Sequence, residues 1–318
     1  MRWVSALVLC IWLGHAAAQA DYPSRPVRII VPSPPSGGTD IVARVLGQHF
    51  TQAFRQQFFV ENKPGAGNVI GIEAAARSAP DGYTLLMTAS TIALNSVLYK
   101  KVPYDPVRDF APITLAATAP NILVVNPKLP IKSVADLIAA AKARPGALSY
   151  GTPGIGTSPH LCMELFKSMA GIDLQHVPYK GTAAAVMDVI GGQIQVAFAT
   201  ALTAKPLIDA GRLRALAVSG PRRVAALPDV PPVAEAGVPG YEAMQWYGLL
   251  APAGTPAAII ERVHGEAVVA LRSPEMKARL ATDGAEPLST TPAEFGAHIK
   301  RELEKWSRVR DTAHIERQ

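Results

Sequence analysis

The chain has 318 residues, a formal net charge of +6, 49% hydrophobic and 18% charged residues, and two cysteines. Lys and Arg are scattered and aromatics make up 6%, so the clustered basic stripe of a nucleic-acid binder is absent and a disulfide framework is excluded. This length is near the size at which one core stops growing and chains divide in two.

Residues 1–20 read as a secretory signal peptide: Arg2, an apolar run over 3–13, then AAAQA with small residues at Ala18 and Ala20, and a cut expected before Asp21. The run of eleven residues falls short of the roughly 20 that a membrane span needs. No later segment is long and apolar enough to span. The expectation is an exported, soluble protein with one thiol, Cys162, placed in the core.

From there strands and helices alternate. VRIIVPS (27–33) reads as a strand, followed by a helix with apolar positions at Val42, Val45 and Leu46. QQFFVEN (56–62) and YTLLMTA (83–89) are the next strands, with a helix after Gly65-Ala66-Gly67-Asn68 between them. This β-α-β-α-β order predicts right-handed crossovers and a parallel sheet. The pattern restarts with a strand at 121–127, a helix at 133–146 capped by Ser133, and a strand at 148–151. Helices at 159–170, 182–192 and 205–211 then alternate with strands at 176–179, 193–199 and 213–219. A proline-rich stretch over 227–240, an extended segment at 246–254, and amphipathic helices near 256–272 and 292–311 close the chain. The expected organisation is two α/β units, one built from 21–122 plus the returning tail 247–318, the other from 123–246, with a cleft between them of the kind ligands prefer.

The loops before the helices carry the functional signal. Ser36-Gly37-Gly38-Thr39, Gly65-Ala66-Gly67-Asn68, GTPGIGTSPH (151–160) and Lys180-Gly181-Thr182 all place small residues where a strand becomes a helix. A helix N-terminus exposes unpaired N–H groups and about half a positive charge, which suits a carboxylate or phosphate. In parallel α/β sheets such loops lie at the carboxyl ends of the strands, where ligands bind. Ser158, followed by Pro159, reads as a helix N-cap. Other chemistry is missing: no dinucleotide fingerprint, GxxxxGK loop or GxSxG elbow occurs, the histidines lack metal spacing, and one cysteine cannot anchor zinc. Neither a cofactor nor a metal is expected. A hydrolase using Ser158 and His160 is the weaker rival reading, since no third group is in view to orient His160.

In VPSPPSGGTDIVAR, VENKPGAG, APDGYTLL, Val102-Pro103-Tyr104-Asp105-Pro106, YGTPGIGTSPHL, HVPYKG, IGGQIQVAF, LPDVPPVAEAG and LLAPAGTP, the chain resembles the solute-binding receptors of the tripartite tricarboxylate transporter family, of Bug or TctC type. The resemblance covers essentially the whole mature chain. It implies a two-domain periplasmic-binding-protein fold of the Venus flytrap, type II-like kind, with a hinge and an interdomain cleft closing over a small organic carboxylate. It implies a periplasmic location, membrane permease subunits as partners or a sensing role instead of uptake, no nucleic acid, and a monomer. The matching ligand positions are Ser33, Ser36, Gly37, Gly38, Thr39, Gly67, Asn68, Thr88, Ser90, Thr91, Thr152, Gly156, Thr157, Ser158, His160, Tyr179, Ala199 and Thr200. The chain departs from the family at Ser33, where an aromatic is usual, at Ser36 and Asn68, where glycine is, and at Ala199, where Asp is frequent. With Asp40 the one acid near these loops, the expected ligand is a non-amino mono- or dicarboxylate.

Overall fold

The computed structural model describes residues 22–35, 37–281, 284–312 and 315–317; the expected signal peptide and Ser36 lie outside the described residues. Strands β1 (Val27–Val31), β2 (Phe58–Asn62) and β3 (Thr84–Ala89) alternate with helices α1 (Gly38–Phe54), α2 (Val69–Ala76) and α3 (Thr91–Leu98). Strand β4 (Phe110–Val125) is followed by α4 (Val134–Ala143), β5 (Ser149–Thr152), α5 (Ser158–Ala170), β6 (Gln175–Pro178), α6 (Thr182–Gly191), β7 (Val196–Thr200), α7 (Ala201–Asp209) and β8 (Arg214–Val218). The remainder is β9 (Met244–Pro252), α8 (Ala257–Arg272), α9 (Pro274–Ala281), the short β10 (Glu286–Pro287) and α10 (Pro292–Thr312).

β3 is buried at every position and β1 at four of five, as strands covered on both faces must be. Helix α1 buries Thr39, Val42, Ala43, Leu46, Gly47 and Phe50, a stripe at helical spacing, against Leu85 and Met87 of β3 and Val263 of α8. The strands run in the order β2-β1-β3-β9-β4-β7-β5-β6, with β8 and β10 each pairing β4. β2-β1-β3 and β6-β5-β7 are parallel, as the alternation predicts. Between these two blocks β9 and β4 run antiparallel to their neighbours.

β4 begins eleven residues before the predicted strand at 121. Pro112 and Pro120 argue against a strand in sequence, since proline cannot donate to a ladder. Here the ladder shifts register just after Pro112. Pro120 sits where β4 leaves β9 and turns to β7 and β8. β4 is therefore the beam that joins the two lobes.

The lobes are tied where three strands meet. Asn121 N donates to Ser219 Oγ (2.8 Å) and Ser219 N donates back to Asn121 O (2.8 Å). Ser219 Oγ donates to Ala243 O (2.6 Å), and Ala243 N donates to Ser219 O (2.9 Å). One fully buried hydroxyl thus links the exit of β8 to β4 and to the entry of β9. Helix α10 spans the same junction. Phe295 and Ile299 pack on the first lobe, while Trp306 and Val309 join the cluster that holds Phe166, Phe198 and Tyr241. The buried Glu302 carboxylate accepts both the Trp246 and the Trp306 indole N–H (3.1 and 2.9 Å).

Ser219→Ala would leave a buried backbone N–H and a buried carbonyl short of a partner. We expect a loss of about 2–4 kcal/mol, read as a lower urea midpoint at unchanged m-value. A loss below about 0.5 kcal/mol would mean that the junction does not depend on this hydroxyl.

Candidate functional site

The strands place their following loops on one side of each lobe, and these loops meet at a cavity of about 290 Å³. That leaves room for a small acid with a few waters. The first lobe contributes Ser33, Gly37, Gly38, Thr39, Asn68, Ala89, Ser90 and Thr91; the second contributes Pro153, Thr157, Ser158, Pro159, Thr182, Thr200, Leu202 and Thr203. Gln245 and Tyr247 of β9 complete the lining. Larger grooves of about 800 and 610 Å³ lie elsewhere. They are lined by helix flanks and long charged side chains such as Arg44, Glu275 and Lys277, so the cleft, where loop ends converge, is the better site.

Six helices begin at this cavity: α1, α2, α3, α5, α6 and α7. In none of them does the N-cap side chain bond a helix N–H. Of the four helices that open elsewhere, α4, α9 and α10 are capped by Ser133, Ser273 and Thr291, and α8, which follows Pro256, is not. The cleft therefore gathers six helix N-termini, with their positive dipole ends, that receive no bond from their own N-cap side chains. Among the described residues, no Asp, Glu, Lys, Arg or His lines the cavity. Hydroxyls do, and two of them, Ser33 Oγ and Ser90 Oγ, are buried without a partner among the described residues. Several others are held by neighbours: Asn68 Nδ2 donates to Thr91 Oγ1 (3.1 Å), Thr200 Oγ1 pairs with Thr203 Oγ1 (3.1 Å), Gln245 Nε2 donates to Tyr247 OH (2.8 Å), and Thr157 Oγ1 donates to Gly154 O (2.7 Å).

Gly37 answers why small residues stand before α1. Its φ is −85°, which any residue adopts, and a Cβ there would meet nothing closer than Pro34 O at 3.9 Å. Neither backbone nor packing requires glycine at this position, so its smallness leaves the cavity wall open.

Ten of the sequence-derived positions line the cavity: Ser33, Gly37, Gly38, Thr39, Asn68, Ser90, Thr91, Thr157, Ser158 and Thr200. Seven do not. Gly67 and Gly156 flank α3 instead: Asn95 Nδ2 donates to Gly67 O (2.7 Å), and a Cβ on Gly156 would come within 3.3 Å of Asn95 Oδ1. Both have positive φ, so glycine serves the turn and the close approach there. Thr88 is fully buried in β3. Thr152 Oγ1 bonds His176 Nε2 (2.7 Å). Tyr179 donates to Asp188 (2.7 Å), and Thr182 holds the cavity position nearby. Ala199 points into the core beside Ile122 and Val186, so the lack of an acid there does not bear on the ligand. Asp40 is bonded to Arg44 (2.8 Å) and Asn62 (2.9 Å) away from the cavity.

Ser158 is the first residue of α5, not its cap; Thr157 holds the cap position. The Ser158 Oγ accepts from Asn121 Nδ2 (2.9 Å), and no hydrogen bond joins it to His160. His160 is 4% exposed and tilts against the His176 ring at 4.6 Å, itself stacked on Tyr150. Tyr150 donates to Glu164, which also holds Lys167 (2.9 Å). Burial, and then His176, push the His160 imidazole down to about 4. A neutral, sequestered imidazole with no bond to Ser158 does not form the Ser158–His160 pair of a hydrolase.

The lining residues that sequence reading missed are Leu202, Thr203, Gln245 and Tyr247; Ala89, Pro153, Pro159 and Thr182 lie within or beside stretches it singled out. Thr203 and Leu202 were hidden because the sequence reading places this helix at 205–211; the helix begins at Ala201.

Two lobes that bring helix N-termini to a cavity at their junction define a two-lobed solute-binding protein. The chain matches the model of the tripartite tricarboxylate transporter family receptor, TctC, over residues 42–314. It is 38% identical over 297 residues to Protein BugT of Bordetella pertussis, covering 92% of this chain and 91% of that one. Rpa4515 of R. palustris, solved with adipate, superposes with a TM-score of 0.85 at 36% identity, over 93% of this chain and 100% of that one. MatC of Rhodopseudomonas palustris, solved with bound malate, does so with a TM-score of 0.80 at 28% identity, over 91% and 99%. The chain belongs to the tripartite tricarboxylate transporter family of periplasmic solute-binding receptors. No helix among the described residues is long and apolar enough to cross a membrane.

The buried His160 of α5 should make the fold acid-sensitive. Its folded value near 4 lies below the ordinary 6.5, so between these values the unfolded chain binds the extra proton. Stability is then full above about pH 6.5 and is lost as pH falls toward 4, by an amount of order 3 kcal/mol from this group. Urea unfolding at a series of pH values should show that slope, and His160→Leu should flatten it. An equal slope in the variant would assign it to other groups.

Proposed function

We propose that this receptor captures a small non-amino mono- or dicarboxylate between its lobes, the bodies 21–122 with 247–318 and 123–246, and presents it to membrane permease subunits of a tripartite tricarboxylate transporter. The expected form is the exported one, cut near Ala20. The observation that carries the reading is the cavity itself: six helix N-termini without a bond from their own N-cap side chains and, among the described lining residues, no charged side chain. Helix N-termini and their dipole ends favour an anion. An ammonium group would find no carboxylate among the described lining residues, and burying it unpaired is costly. The acids bound by the adipate- and malate-liganded relatives have the matching chemistry.

Titration calorimetry on ligand-stripped protein with adipate, malate and succinate tests the class, and aspartate against succinate tests the amino group. We expect the non-amino member to bind at least about ten-fold tighter, or 1.4 kcal/mol. Tighter binding of aspartate would overturn the selectivity.

Ser90 offers a sharper check. Its hydroxyl is 2% exposed with no partner among the described residues, so Ser90→Ala removes an orphan from the empty protein. We expect unchanged or higher stability in urea, together with a loss of about ten- to a hundred-fold in carboxylate affinity. A loss of stability at constant affinity would make Ser90 structural.

A further inference from the structure

Asn121 does not line the cavity, yet its side chain reaches a residue that does. It is 1% exposed on β4, and its backbone is held in both directions by Ser219. Its Nδ2 donates to Ser158 Oγ (2.9 Å) and to Cys162 Sγ (3.3 Å), one turn further along α5. Its Oδ1 has no partner among the described residues. Turning the amide over would give the oxygen a donor or two but strand both N–H groups. One lone acceptor is the smaller cost, because an amide carries two donors on nitrogen.

We propose that Asn121 is a positioning residue that fixes the hydrogen-bond polarity of Ser158 and so makes this wall of the cleft a donor to the ligand's carboxylate. A free serine hydroxyl rotates and offers either its proton or a lone pair. Accepting the Asn121 N–H occupies one lone pair and strengthens the O–H as a donor. Among the described residues, the other hydrogen-bond partner of that hydroxyl is Cys162 Sγ at 3.9 Å, a weak acceptor. Ser158 therefore meets the cleft proton first. A carboxylate oxygen is an acceptor only and matches it. The same contact ties the ligand wall to the junction, because Asn121 is also the residue that Ser219 clamps to β8 and β9.

The inference rests on the carboxylate reading, and a double-mutant cycle separates the two. Asn121→Leu, Ser158→Ala and the double variant are titrated with whichever of adipate, malate and succinate the wild-type protein binds most tightly, at a temperature where circular dichroism shows each variant folded. Asn121→Leu should weaken binding about ten-fold when Ser158 is present and less than about two-fold on the Ser158→Ala background. Should Asn121→Leu not fold, the near-isosteric Asn121→Asp runs in the same cycle. Its added charge acts on both backgrounds and cancels in the coupling, which should again be about ten-fold. Equal effects on both backgrounds, or no effect on either, overturn the proposal while leaving the carboxylate reading intact. A wild-type protein that binds none of the three acids overturns that reading and this proposal with it.

Discussion

The Ser219 hydroxyl sits where β4, β8 and β9 pass one another, accepting from Asn121 and donating to Ala243. All later geometry hangs on that point. β4 and β9 are the strands that carry the chain between lobes, and neither can slide without breaking a bond to this one oxygen. A buried hydroxyl that both gives and accepts is fully satisfied, and such satisfied polar groups favour one arrangement over its neighbours. The loops that form the cleft come from strands registered on these two, β3 on one side and β7 on the other. The position of Thr91 relative to Thr200 is thus set some distance away, by a bond that never meets the ligand.

The helix caps follow a division of labour. Ser and Thr are abundant at the starts of the cleft helices, as they would be at ordinary caps, but their oxygens turn elsewhere. Thr157 bonds Gly154 O, Thr91 takes a bond from Asn68, and Thr200 pairs with Thr203. A side-chain cap stabilises a helix by about 1 kcal/mol, and Asn68, Ser90, Thr157 and Thr200, at N-cap positions facing the cleft, forgo that bond. Helices that point away from the cleft have no reason to forgo the cap, and three of four keep it.

Much of this was legible before any coordinates. Apolar runs of five to seven residues alternating with helical stripes reveal the two α/β units, and Gly and Ser or Thr at strand-to-helix passages point to the cleft. What sequence could not convey was tertiary. Pro112 and Pro120 mask β4 because their cost is absorbed by a register shift and a change of partner strand. Gly67 and Gly156 resemble the Gly37 loop in sequence, and only their positive φ and the position of Asn95 tell them from Gly37. Gln245 and Tyr247 lie on a strand far from any loop signal and reach the cavity because β9 is central to the sheet. Ser158 has the residue context of a cap, and nothing local reveals that Asn121 claims its oxygen.

The absence of charged groups among the described lining residues separates two kinds of selectivity. On the proposed reading, preference for an anion would reside in main-chain N–H groups and helix ends, which belong to every sequence with this backbone. Preference among anions would reside in the hydroxyls, Leu202, Gln245 and Tyr247, which single codon changes can replace. Substitution at the cleft can therefore alter the length, branching or hydroxylation of the acid accepted without erasing the taste for acids. A scaffold of this kind can diversify its cargo through neutral side chains while the charge requirement travels unchanged with the fold.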